Sequence, residues 1–149
     1  MGKNIAIFAS GSGTNAENII RYFEKNASVR VRLVLSNRKD AYVLERACRL
    51  GVPYRAFPKS DWEAAESILD LLRKYQIDFI VLAGFLLRIP DALLHAYPDK
   101  IINIHPALIP SFCGDGFYGL KVHEAALEKG VKVTGATVHF VNEETDAGP

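Results

Sequence analysis

Apolar positions along the chain follow two alternating rhythms: short continuous runs of strand length, and longer segments with helical spacing. Ile5-Ala6-Ile7-Phe8-Ala9 is apolar at every position, and a run without polar alternation predicts a central parallel strand covered on both faces. It ends in the turn Ser10-Gly11-Ser12-Gly13-Thr14-Asn15, after which Ile19, Ile20 and Phe23 predict a helix over 16–22. The same unit recurs as a strand over 29–35, a helix over 41–50 stopped by Gly51, and a short strand over 52–57 that Pro53 moves toward a sheet edge. Ser60-Asp61-Trp62-Glu63 reads as a capping box opening a helix over 62–75, with Ile68, Leu69, Leu71 and Leu72 on its apolar face. A buried strand over 78–83 is closed by Gly84, and Phe85-Leu86-Leu87-Arg88-Ile89-Pro90 is too apolar for an ordinary solvent-facing connection, so it packs on the core or lines a pocket. A short helix over 91–97 leads to a strand over 101–105, which Pro106 ends because it cannot donate to a sheet ladder.

Beyond it, 107–119 is irregular and dense in Gly, Pro and aromatics, the composition of a loop folding over a site. A helix over 121–129 closed by Gly130 and a strand over 131–141, with Thr137, His139 and Val141 on one face, complete the pattern. The alternation predicts a three-layer α/β domain with a mostly parallel sheet and Rossmann-like winding through right-handed crossovers.

Composition narrows the class. At 149 residues the chain is one domain's worth, long enough to bury a core without staples. A formal charge of +1 supplies no basic field for nucleic acid. Cys48 and Cys113 are too few for a disulfide framework and have no zinc spacing. The first apolar run is too short for a signal peptide or a membrane span, so the expectation is a soluble cytoplasmic protein without metal, membrane or nucleic-acid partner.

Two stretches carry candidate chemistry. Asn103 and His105 lie two apart, so strand alternation sets them on one face at the C-terminal end, the edge where open α/β sheets hold ligands. A carboxamide donor beside an imidazole able to carry a proton suits a carbonyl oxygen on which negative charge builds; the plainer alternative is a turn cap and a satisfied loop histidine. The glycine turn opens a helix, where free backbone N–H groups and the positive dipole end favour phosphate. Gly11-x-Gly13-x-x-Ala16 also matches the loose dinucleotide fingerprint, but Ser36-Asn37-Arg38-Lys39 has no acid for the ribose hydroxyls of NAD. A single phosphate group is favoured, with an NADP- or nucleotide-binding module as the rival.

Ser10-Gly-Ser-Gly-Thr-Asn15, Ala83-Gly-Phe-Leu86, Asn103-Ile-His-Pro-Ala-Leu-Ile-Pro110 and His139-Phe-Val-x4-Asp146-x-Gly-Pro149 closely resemble the folate-dependent phosphoribosylglycinamide formyltransferases of purine synthesis, over nearly the whole chain. The resemblance implies one formyltransferase domain over 1–149, lacking the family's C-terminal strand and helix. It implies that Gly13, Thr14 and Asn15 hold the phosphate of glycinamide ribonucleotide. Leu86, Leu87, Arg88 and Ile89 would hold the pterin of 10-formyltetrahydrofolate, with Asn103 beside them and Asn142, Glu143, Glu144, Thr145 and Asp146 as the other wall. Asn103, His105 and Asp146 would be catalytic. Trp62 stands where some members have a folate-contacting Arg, and would stack instead. The resemblance implies no metal and leaves a homodimer open. Formyltetrahydrofolate deformylase, with the same Asn, His and Asp acting on water, is the nearest alternative.

Overall fold

The computed structural model describes residues 2–105 and 137–140, with His105 and 137–140 described by backbone alone. The elements run β1 (Lys3–Phe8), α1 (Thr14–Tyr22), β2 (Val29–Ser36), α2 (Tyr42–Arg49), β3 (Tyr54–Ala56), α3 (Lys59–Ala64), α4 (Glu66–Lys74), β4 (Phe79–Ala83), α5 (Asp91–Ala96), β5 (Ile101–His105) and β6 (Thr137–Phe140). The described strands form a single sheet in the order β3-β2-β1-β4-β5-β6. Pairing is parallel from β3 through β5, and β6 runs antiparallel to β5. The apolar run of β1 is central, and the Pro53 strand is at an edge, as the sequence pattern predicts.

Strand alternation divides the core into two layers. Ile5, Ile7 and Ala9 face Ile19 and Ile20 of α1 and Val43, Leu44 and Ala47 of α2. Ala6 and Phe8 face the other way, against Trp62 of α3, Ile68 and Leu72 of α4, and Leu93 of α5. Helices therefore cover both faces, giving the expected three layers. Each fully buried Leu, Ile or Phe contributes about 1.5–3 kcal/mol of transfer free energy, so β1 is stabilised from both sides.

The capping-box helix is corrected. Helix α3 begins before Ser60, with Pro58 at its N-cap and no side-chain capping bond, and the helix breaks at Ala65, whose φ is 69°. Trp62 is 1% exposed and its indole N–H donates to the Phe57 carbonyl at 2.9 Å. Six residues on, Ile68 is also fully buried, yet in one unbroken helix the two side chains would point about 120° apart. The left-handed Ala65 re-aims the chain so that both reach the same core, and burial outweighs the local cap.

Two helices end in the same motif with different residues. At the end of α2, the N–H of Gly51 donates to Cys48 and that of Val52 to Ala47; at the end of α4, the N–H of Gln76 donates to Arg73 and that of Ile77 to Leu72. Both are Schellman endings, with φ of 75° at Gly51 and 55° at exposed Gln76. A left-handed L-residue costs about 1–2 kcal/mol that glycine avoids, part of which glycine gives back as unfolded-state entropy. Gln76→Gly is therefore expected to raise stability by roughly 0.5–1 kcal/mol in urea unfolding.

Candidate active site

Strand order reverses beside β1: the chain first winds outward through β2 to β3, then crosses to β4 and β5 on the other side. Such a switch point opens a crevice at the carboxyl ends of the strands. The glycine turn after β1 and the 84–90 connection after β4 flank it.

The turn is seated on α2. The Gly11 carbonyl accepts the Val43 N–H at 3.1 Å, and the Ser12 carbonyl accepts Nε of Arg46 at 2.6 Å. The Gly13 carbonyl accepts the Glu17 N–H, the first bond inside α1, at 2.8 Å. In a trans peptide the N–H points opposite to the C=O, so these bonds turn the N–H groups of Ser12, Gly13 and Thr14 away from α2 and α1. The N–H groups of Asn15 and Ala16 also precede the first intrahelical bond. The result is a cradle of backbone donors at the positive end of a helix.

Charge supports the cradle. Glu17 sits in the first turn of α1, where a carboxylate would repel an incoming phosphate. Its carboxylate instead accepts Nε of Arg21 at 2.8 Å and a terminal nitrogen of Arg46 at 2.7 Å. The hydrogen bonds from Arg21 and then Arg46 hold Glu17 below the usual carboxylate range. Two guanidiniums against one carboxylate leave a net positive charge beside the turn. Arg46 also lies over the Tyr42 ring, 4.9 Å from its centroid. Arg46→Met keeps most of the stem but removes the Ser12 bond, and is expected to weaken binding of a phosphate monoester to the turn about tenfold, measured by titration calorimetry.

The 84–90 connection divides between core and pocket. Phe85 packs 4.7 Å from Trp62 and 5.5 Å from Phe8, and Ile89 is 3% exposed. Leu86, by contrast, is 76% exposed. Leu87, Arg88 and Ile89 line a cavity of about 280 Å³ with Lys59, Trp62 and Glu63. Trp62 does not present a free stacking face: its ring is buried edge-on to Phe8 and supports the connection from beneath.

Sequence reasoning missed two residues here, Arg46 and Ser10. Ser10 is 1% exposed, accepts the Leu86 N–H on Oγ at 2.9 Å, and donates its hydroxyl to Oδ1 of Asn37 at 2.5 Å. A serine directly after an apolar strand was the available signal.

On β5, Asn103 is in register with Leu82 of β4 and His139 of β6. It alternates with Ile102 and Ile104, which belong to the α1–α2 layer, and so shares the face of Ile101, in the layer that Phe85 and Leu87 join. His105 is the last residue of β5, in register with Thr137. The structure thus brings Gly13, Thr14, Asn15, the 86–89 segment, Asn103 and the His105 backbone to one edge of the sheet. The His105 side chain and Asn142, Glu143, Glu144, Thr145 and Asp146 lie outside the described residues, as do the 107–119 loop and the 121–129 helix. Among the described residues no group of three or more His, Cys, Asp or Glu is placed to hold a metal ion.

The chain is a doubly wound α/β sheet with a cradle of backbone donors and an apolar, partly open connection on either side of its switch point, the architecture of a small-ligand-binding α/β domain. The formyl transferase family profile matches residues 3–149. A phosphoribosylglycinamide formyltransferase of Bacillus subtilis is 42% identical, over 99% of this chain and 75% of its own length. The chloroplastic phosphoribosylglycinamide formyltransferase of Arabidopsis thaliana is 45% identical over 98% of this chain and 52% of its own, so the chain spans about half the length of that plant relative. The crystal structure of glycinamide ribonucleotide transformylase 1 from Geobacillus kaustophilus superposes with a TM-score of 0.73 at 40% identity, over 96% of this chain and 76% of that one. The chain belongs to the formyl transferase family, alongside the phosphoribosylglycinamide formyltransferases.

Proposed function

We propose that the protein transfers the formyl group of 10-formyltetrahydrofolate to the primary amine of glycinamide ribonucleotide in purine biosynthesis, in the cytoplasm. The observation that carries this reading is the pairing of two unlike half-sites across one switch point, the Ser12–Thr14 donor cradle and the Trp62-supported 86–89 connection, with Asn103 on the neighbouring strand. A phosphate suits the first, and a flat heteroaromatic ring suits the second.

The substrate phosphate sits on Gly13, Thr14 and Asn15, and the pterin lies against Leu86, Leu87, Arg88 and Ile89, with 142–146 as the facing wall. The amine attacks the formyl carbon directly, forming a tetrahedral intermediate whose oxygen carries the charge. Asn103 and protonated His105 stabilise that oxygen, each such donor contributing about 3–4 kcal/mol. Asp146 pairs with His105, which favours the imidazolium and raises its pKa. It also relays the proton from the attacking amine, through water, toward N10 as the C–N10 bond breaks. Formylated amine and tetrahydrofolate leave, and the enzyme forms no covalent adduct.

The test is incubation of the protein with 10-formyltetrahydrofolate, with and without glycinamide ribonucleotide. Formyl transfer that requires the nucleotide supports the reading. Formate release without it points to a deformylase, and binding of NADP in place of either ligand points to a nucleotide-binding module.

A further inference from the structure

Leu86 combines two properties that rarely coincide in a connection: its side chain is 76% exposed, while its backbone N–H is held by a side chain buried to 1% exposure. A connection whose backbone is fixed before any ligand arrives has already lost its backbone ordering entropy, so only the Leu86 side-chain rotamers remain to be ordered on binding. What fixes it is Ser10, at the root of the phosphate turn.

Ser10 grips the connection at two points. Its N–H donates to the Gly84 carbonyl at 3.1 Å, and its Oγ accepts the Leu86 N–H at 2.9 Å, so the two bonds bracket Phe85. The direction of the side-chain bonds follows from proton counting. A backbone N–H only donates, so Oγ is the acceptor toward Leu86, and its single proton goes to Oδ1 of Asn37. The chain Leu86 N–H to Ser10 O–H to Asn37 C=O thus runs one way, each bond polarising the next. It joins three turns at the carboxyl edge, those after β1, β2 and β4. Alanine at position 10 would keep the Gly84 bond but leave the Leu86 N–H without its acceptor.

We propose that Ser10 is a positioning residue for the folate half of the site: oriented by Asn37, its hydroxyl holds the backbone at Leu86 and ties that half to the phosphate turn. The inference rests on the functional reading above for the identity of the ligand, but not for the hydrogen-bond chain itself. Amide exchange followed by NMR on the ligand-free protein tests the chain. Ser10→Ala is expected to speed exchange at Leu86 at least tenfold while amides of β1 and β4 keep their protection. Unchanged exchange at Leu86 overturns the proposal.

Kinetics then test its consequence. In Ser10→Ala the KM for 10-formyltetrahydrofolate should rise about tenfold, with kcat falling less than threefold and the KM for glycinamide ribonucleotide moving less than the folate KM. Asn37→Ala should give a smaller rise of the same kind. The double variant should cost no more than Ser10→Ala alone, because removing the first link idles the second. Independent, multiplying effects of the two substitutions, or a loss confined to kcat, would overturn the proposal. Failure of the unaltered protein to bind either ligand counts against the functional reading and leaves the exchange result to decide the chain.

Discussion

Gly13→Ala is expected to cost about 3 kcal/mol of stability and to abolish phosphate binding at the turn. The backbone at Gly13 has φ of 81°, the left-handed region that an L side chain enters at a cost of about 1–2 kcal/mol. Space is the second obstacle. A Cβ there would lie 2.5 Å from Cγ2 and 2.7 Å from Cα of Val43, so backbone of α2 blocks it, not only a flexible side-chain end. Relief requires the turn to lift off α2, which breaks the Val43 and Arg46 bonds that aim the donor cradle. Urea unfolding and calorimetric titration with a phosphate monoester check the two parts separately. A stable variant with full affinity would show that the turn is not seated as described.

His105→Ala is expected to depress formyl transfer about a hundred- to a thousandfold while leaving the affinity for glycinamide ribonucleotide within about twofold. The asymmetry follows from position: His105 ends β5, whereas the phosphate turn follows β1, with β4 lying between the two strands. An imidazolium that meets charge only as the tetrahedral intermediate forms contributes to the transition state and little to ground-state binding. Single-turnover rates and equilibrium titrations separate the two. Equal losses in rate and nucleotide affinity would remove His105 from the oxyanion and place it in binding.

The layers of the fold were legible because burial on both faces leaves a mark on every residue of a strand: Ile5 to Ala9 could hardly be anything but central, and Pro53 could not be. Gly51 ended its helix where predicted, since a left-handed cap is a local demand met by one residue. The break at Ala65 was not legible. Its cause is the shared core of Trp62 and Ile68, and the capping-box pattern at Ser60 spoke only for its own neighbourhood. The site divides in the same way. The glycine turn was readable because its donors are its own backbone. Arg46 and Ser10 were not, because what they hold lies 34 and 76 residues away along the chain. Asn103 is set near the carboxyl edge by its register with Leu82 and His139, and the His105 backbone ends the same strand, while the His105 side chain lies outside the described residues.

Trp62 is the only tryptophan in the sequence, and its ring touches Phe85 at the root of the exposed Leu86. The protein therefore carries an intrinsic optical probe beside the 84–90 connection. Selectively excited indole emission is expected to report on that aromatic contact without an added dye, because the sequence holds a single tryptophan.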